Sequence, residues 1–150
     1  MIYPQAKRSI FRMLISLIIC LLLGSFLHSQ TLPQADSLYF KSGDYVAASE
    51  AYLVLAAHWE DLYPLANFYR SAIYYEKGYC ELVIGDRNKC VETLTKGMVE
   101  ENIKQQPDSL KLASMLQYKG LALLQSGEVE QGKETVMKAH QIRLKLLPSD

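Results

Sequence analysis

Apolar residues recur along most of the chain at the three- and four-residue spacing of helices. Leu112, Leu116, Leu123 and Leu124 share one stripe, and Val129, Val136, Ala139 and Leu146 share another. No segment alternates apolar and polar residues at period two, so strands are not expected. The pattern predicts helices over 33–42, 45–60, 64–84, 87–104, 108–126 and 129–147. The connections between them are short, as in a compact all-α fold.

The start of the chain breaks this pattern. Lys7, Arg8 and Arg12 precede the apolar run from Met13 to Leu23, and Gly24, Ser25, Phe26, Leu27, His28, Ser29 and Gln30 follow it. A basic start, a short apolar stretch and a small-residue exit describe a secretory signal peptide over 1–29, cut between Ser29 and Gln30. Leu27 departs from the small residue wanted two positions before Ser29. The run is short for a spanning helix, which needs about 20 apolar residues. The alternative is an uncleaved anchor formed by residues 10–27. Leu17-Ile18-Ile19-Cys20 loosely resembles a lipidation site. The bulk of Ile19 and the continuing apolar run argue against that use of Cys20. Export to the periplasm, the cell envelope or the medium is therefore expected, with 30–150 as the mature domain.

Within that domain a 42-residue period is visible. Gly43-Asp44, Gly85-Asp86 and Gly127-Glu128 stand 42 residues apart. Five residues beyond each glycine is a small residue: Ala48, Cys90 or Gly132. Nine beyond it is a large one: Tyr52, Leu94 or Val136. Seven before it are Asp36, Gly78 and Gly120. Pro64, Pro107 and Pro148 follow nearly the same period. The glycine and the acidic residue supply a tight turn and a helix start. Each proline suits the first turn of a new helix, where its missing N–H costs nothing. The small residues let antiparallel helices approach, and the large ones fill the space between hairpins.

These marks resemble the tetratricopeptide repeat family, in the longer variant found in kinesin light chains. The likeness runs through Leu38-Tyr39-Phe40-Lys41-Ser42-Gly43-Asp44-Tyr45 with Ala48 and Tyr52. It returns in Lys119-Gly120-Leu121-Ala122-Leu123-Leu124-Gln125-Ser126-Gly127 with Ala139, and in the stretch 138–148. Cys90 and Gly132 replace the usual alanine, and the first helix of the first repeat is short. The resemblance implies about three helical hairpins stacked as a short right-handed solenoid over 30–150. It also implies a non-catalytic protein–protein interaction module, an adaptor or scaffold whose partner is an unidentified protein or peptide. The alternative is the sensor segment of a larger repeat-containing signalling or effector protein, because Pro148 should open a fourth hairpin and only Ser149 and Asp150 follow. The last helix carries an apolar stripe of Val136, Ala139, Ile142, Leu144 and Leu147, which either packs inward or leaves an end open to self-association.

Charge narrows the partners. Lys+Arg and Asp+Glu are 16 each, and removing Lys7, Arg8 and Arg12 leaves 13 basic against 16 acidic residues, a net of −3. Such a domain lacks the clustered basic footprint that nucleic acid requires. Membrane contact is expected only through an uncleaved N-terminal segment.

Candidate chemistry is sparse. His58 and His140 have no second ligand at metal spacing, and no HExxH, phosphate loop or GxSxG elbow is present. No catalytic, cofactor or metal residues are assigned, and Glu100-Glu101 reads as a solvated helix end. Cys80 and Cys90 stand five residues either side of Gly85, at similar height on facing helices. They are either a disulfide, in an oxidising compartment, or small packing residues.

Aromatic residues cluster at Tyr63, Phe68, Tyr69, Tyr74, Tyr75 and Tyr79. Phe68, Tyr75 and Tyr79 share a helical stripe, either as core packing or as the lining of a groove. In the family, ligands bind the surface made by the first helix of each pair. The resemblance places Phe40, Lys41, Ala72, Tyr75, Tyr79, Leu82, Val83, Gln117, Leu121, Leu124 and Gln125 there. That surface is apolar and aromatic, without the basic clamp that grips acidic peptide ends in some relatives.

Overall fold

The computed structural model describes residues 31–59 and 69–147. The expected signal segment with its Ser29–Gln30 junction, the alternative anchor 10–27, and Tyr63, Pro64, Phe68 and Pro148 lie outside the described residues. The chain divides into two units after Thr31, and all that follows concerns the second, Leu32–Asp150.

Every element among the described residues is helical, and no strand is present among them. Helix α1 spans Leu32–Ser37 and runs on as a π-helical turn, Leu38–Ser42. Then come α2 (Tyr45–Ala57), α3 (Arg70–Ile84), α4 (Arg87–Asn102), α5 (Ser109–Gln125) and α6 (Val129–Leu146). Each packs on its neighbour in the chain, and α3 also touches α5.

The three glycine turns behave as the spacing predicts. Gly43, Gly85 and Gly127 hold φ of 64°, 86° and 91°, a left-handed backbone that side chains with a Cβ disfavour. After α3, the Asp86 N–H donates to Glu81 O at 2.8 Å and the Gly85 N–H to Leu82 O at 3.2 Å. The same pair recurs after α5, where the Glu128 N–H donates to Leu123 O at 2.9 Å and the Gly127 N–H to Leu124 O at 3.3 Å. Each closes the carbonyls left open at a helix end. The first turn differs because its helix widens into a π turn. There Leu38 O accepts from the Gly43 N–H, from the Asp44 N–H at 3.1 Å and from Ser42 Oγ at 2.8 Å.

Acidic residues start the following helices, but not all in one way. Asp44 accepts from the Ala47 N–H at 3.1 Å, an ordinary N-cap. Asp86 makes no side-chain cap bond and pairs instead with Lys89 Nζ at 2.6 Å. At the fifth helix the expectation for proline is corrected. Asp108 is the N-cap, accepting from the Lys111 N–H at 3.0 Å, so Pro107 stands one residue outside the helix and not in its first turn. The short capping side chain satisfies an orphan donor, which proline cannot do.

The repeated register survives into the packing. Tyr52 hydroxyl donates to Asp36 Oδ1 at 2.7 Å. A Cβ at Gly78 would lie 2.5 Å from Leu94 Cδ2, and one at Gly120 would lie 2.6 Å from Val136 Cγ2. In three successive hairpins, then, the residue seven before the turn glycine meets the residue nine after it. Two hairpins use glycine against an aliphatic side chain, and the first uses a carboxylate against a phenol.

The core falls into two clusters. The first joins α1, α2 and α3 through Ala35, Ala48, Tyr52, Leu55, Ile73 and Cys80, with Trp59 just beyond α2. The second joins α4 and α5 through Cys90, Leu94, Met115 and Ala122. Fully burying an aliphatic side chain of this size contributes about 1.5–3 kcal/mol, so these contacts set the order of the helices.

Candidate interaction surface

The described helices bring four tyrosines from three elements into one row. Tyr39 in the π turn meets Tyr79 of α3, with ring centroids 5.8 Å apart and planes at 82°. Tyr79 meets Tyr118 of α5 at 5.1 Å. Tyr118 stacks on Tyr75 at 5.6 Å and 24°, and the Tyr75 hydroxyl donates to the Tyr118 hydroxyl at 3.4 Å. Phe40 and Tyr45 add edge contacts to Tyr39 at 4.4 and 5.8 Å. Edge-to-face and offset pairs of this kind favour a fixed ring arrangement over a mobile one. All four tyrosines are half-buried, with one side against the helices and the other reaching solvent. Burial pushes the hydroxyls of Tyr39, Tyr75 and Tyr79 above the usual phenol value, so they stay protonated donors.

The residues expected to line a groove separate into two groups. Tyr75 and Tyr79 belong to the row, Val83 is exposed one turn beyond Tyr79, and Phe40, Lys41 and Gln125 are exposed. Ala72, Gln117 and Leu121 are half-buried. Leu82 packs against the second core cluster, and Leu124 lies over Gly132, where an added Cβ would be 2.7 Å from its Cγ. These two leucines hold hairpins together, because their helix faces meet α4 and α6. Tyr39 and Tyr118 were not assigned from the sequence. Tyr118 could have been, since it stands three residues before Leu121 and so shares its helical face.

Two buried polar networks join the same helices. Glu101, near the end of α4, is fully buried. Its Oε2 accepts from Ser71 Oγ at 2.5 Å and from Lys104 Nζ at 2.7 Å, its Oε1 accepts from the Asp108 N–H at 2.9 Å, and Lys111 Nζ is 3.6 Å away. Burial works to raise this carboxyl, but the bonds from Lys104, Ser71 and the Asp108 N–H with the Lys111 charge overcome it and hold it at about 2. The reading of Glu100-Glu101 as a solvated helix end is corrected on this point. Glu100 is half-buried and pairs with Arg70 at 3.6 Å, whereas Glu101, about 100° further round the helix, is fully enclosed with partners from α3 and the start of α5. The second network is the Lys77–Glu81 ion pair, with Lys77 Nζ also donating to Thr93 Oγ1 at 3.1 Å. Both networks tie α3 to α4, and the first also holds the 103–108 connection.

Cys80 and Cys90, expected as either a disulfide or small packing residues, stand in the structure as buried free thiols. Cys80 belongs to the cluster facing α1 and α2, and Cys90 to the cluster facing α5, so the packing reading describes them. Burial pushes each thiol up to about 12. Alkylation by iodoacetamide at pH 8, followed by peptide mapping, is expected to leave both unlabelled until denaturant is added. Rapid labelling of either in the native protein would contradict their burial.

His58 and His140 are both exposed. Among the described residues no group of three His, Cys, Asp or Glu side chains is placed to hold a metal ion. No helix among them is long and apolar enough to cross a membrane. Compared with family models, curated proteins and solved structures, the chain matches none.

Proposed function

We propose that this chain is a non-catalytic protein–protein interaction module of tetratricopeptide-like hairpins, exported by its N-terminal segment and working as an adaptor or scaffold. The observation that carries the reading is the tyrosine row. Three helices that are first in their hairpins, α1, α3 and α5, supply one aromatic surface with Val83 and Phe40 exposed beside it. Tyrosine gives a large contact area at low entropic cost, and its hydroxyl serves a partner that is partly polar. The repeated hairpin register supports the family likeness, because the same pair of positions makes the interhelical contact three times.

The test is capture of a partner from envelope and culture extracts with the full chain as bait. Tyr79→Ala with Val83→Ser is the paired variant, since neither residue belongs to a core cluster. Capture is expected to fall at least about tenfold, the effect of losing one aromatic contact worth about 1.4 kcal/mol or more. The variant should keep its helical circular dichroism. Equal capture by both baits would remove the row from the interface.

A further inference from the structure

Between α1, α2 and α3 lies a cavity of about 170 Å³. That is close to the roughly 150 Å³ that accommodates a benzene molecule, so there is room for about six heavy atoms. Its lining is chemically divided. Leu32 and Ile73 give an apolar wall. Two exposed aromatic residues, Phe40 and Tyr69, also line it. Asp36 and Glu76 bring two carboxyl groups from different helices.

These carboxyl groups are not equally served. Asp36 accepts the Tyr52 hydroxyl at 2.7 Å. Glu76 receives a hydrogen bond from Tyr39, but its Oε2 is buried and has no hydrogen-bond partner among the described residues. Lys111 acts on Glu76, yet the same ammonium group stands 3.6 Å from Glu101. Burial and the neighbouring Asp36 carboxylate push the half-buried Glu76 carboxyl above its ordinary value, so its charged form is costly and incompletely satisfied. A cation in the cavity offsets part of that cost through space, since Asp36 and Glu76 both line it while Glu76 Oε2 itself is enclosed. Two aromatic side chains in the lining, Phe40 and Tyr69, add the attraction of ring quadrupoles for a positive charge. The apolar wall suits carbon atoms next to that charge. A hydrated metal ion fits poorly, because it wants several oxygen ligands and no aromatic surface.

We propose that this cavity is a binding site for an alkylammonium group, of the kind carried by a lysine side chain or by a small free amine. In its lysine form the inference deepens the interaction reading above and rests on it. In its free-amine form it does not.

The experiment titrates the full chain, labelled with nitrogen-15, with n-butylammonium chloride and separately with n-butanol, its neutral analogue. The Ala72 and Ile73 amide resonances report on the cavity. Saturable shifts are expected with the ammonium ion and at least about tenfold weaker binding with the alcohol, from one charge-assisted contact and one cation–π contact. Glu76→Gln should weaken the ammonium binding by a similar factor while leaving thermal stability equal or higher. Equal binding of alcohol and ammonium would overturn the proposal, and so would no saturable shift with the ammonium. A second arm compares a short acetylated and amidated lysine peptide with its Nε-acetyl form. Discrimination in favour of the free lysine supports a partner's lysine as the source. Binding of butylammonium without peptide discrimination supports the free amine. Loss of partner capture in the Tyr79/Val83 variant reports on the interaction surface independently of either arm.

Discussion

Glu101→Gln is expected to lower the unfolding free energy by about 3 kcal/mol at pH 7, the low end of the range for breaking a buried charged network. Glutamine has nearly the same shape, so the loss comes from charge and hydrogen-bond direction. The wild-type carboxylate accepts from Ser71, Lys104 and the Asp108 N–H. A glutamine NH2 group would face at least one of those donors with another donor, and Lys104 would lose its anionic partner. The Lys104 side chain is 13% exposed, which lets it reach water and keeps the loss from being larger.

The same substitution changes the response to acid. The folded carboxyl sits at about 2, below its ordinary 4.5. A depressed carboxyl contributes stability that is full above its unfolded value and is lost as pH falls through the folded one. Wild-type stability should therefore decline between about pH 5 and pH 2 by more than that of Glu101→Gln, whose limb should be flatter. Urea denaturation of both proteins at pH 7 and pH 3 measures both effects. A loss under about 1 kcal/mol at pH 7, with parallel acid limbs, would mean that the network carries little charge interaction.

Gly132→Ala is expected to destabilise the protein by about 2 kcal/mol, although helix propensity by itself predicts a gain of about 1 kcal/mol from replacing glycine with alanine. The sign is decided by space. A Cβ at Gly132 would lie 2.7 Å from Leu124 Cγ, 2.9 Å from Leu124 N and 3.0 Å from Gly120 O. Two of these atoms are backbone, so relief requires α5 and α6 to move apart. Trimming Leu124 to alanine should therefore rescue only part of the loss. The neighbouring exposed change Lys133→Ala is the control and should stay within about 0.5 kcal/mol of wild type. A stabilised Gly132→Ala would mean that the two helices are not in close contact there.

The contrast between Gly132 and Glu101 shows where sequence reading succeeds. Gly132 was singled out because Ala48 and Cys90 occupy the same place in the 42-residue period, and all three are buried in a helix–helix contact. Glu101 carried no such mark, because a glutamate near a helix end is usually solvated. Its burial depends on α3 and on the 103–108 connection folding over it, and no local pattern in 87–102 encodes that. Cys80 and Cys90 make a similar case. Spacing about Gly85 placed them at one height on facing helices, but only the packing put them in separate core clusters.

The tyrosine row lies between these cases. Tyr75 and Tyr79 were legible from their four-residue spacing on one helix. Their partners Tyr39 and Tyr118 stand about forty residues away on other helices, so the row exists only once the hairpins are side by side. The sequence by itself determined the all-helical class, the three left-handed glycine turns and the positions where helices press together, because turn geometry and steric contact are written in single residues at a fixed period. Tertiary structure alone decided which charges are buried, which leucines are core and where a cavity opens beside Glu76. Those properties belong to surfaces from several helices, and their energies depend on what the facing helix supplies.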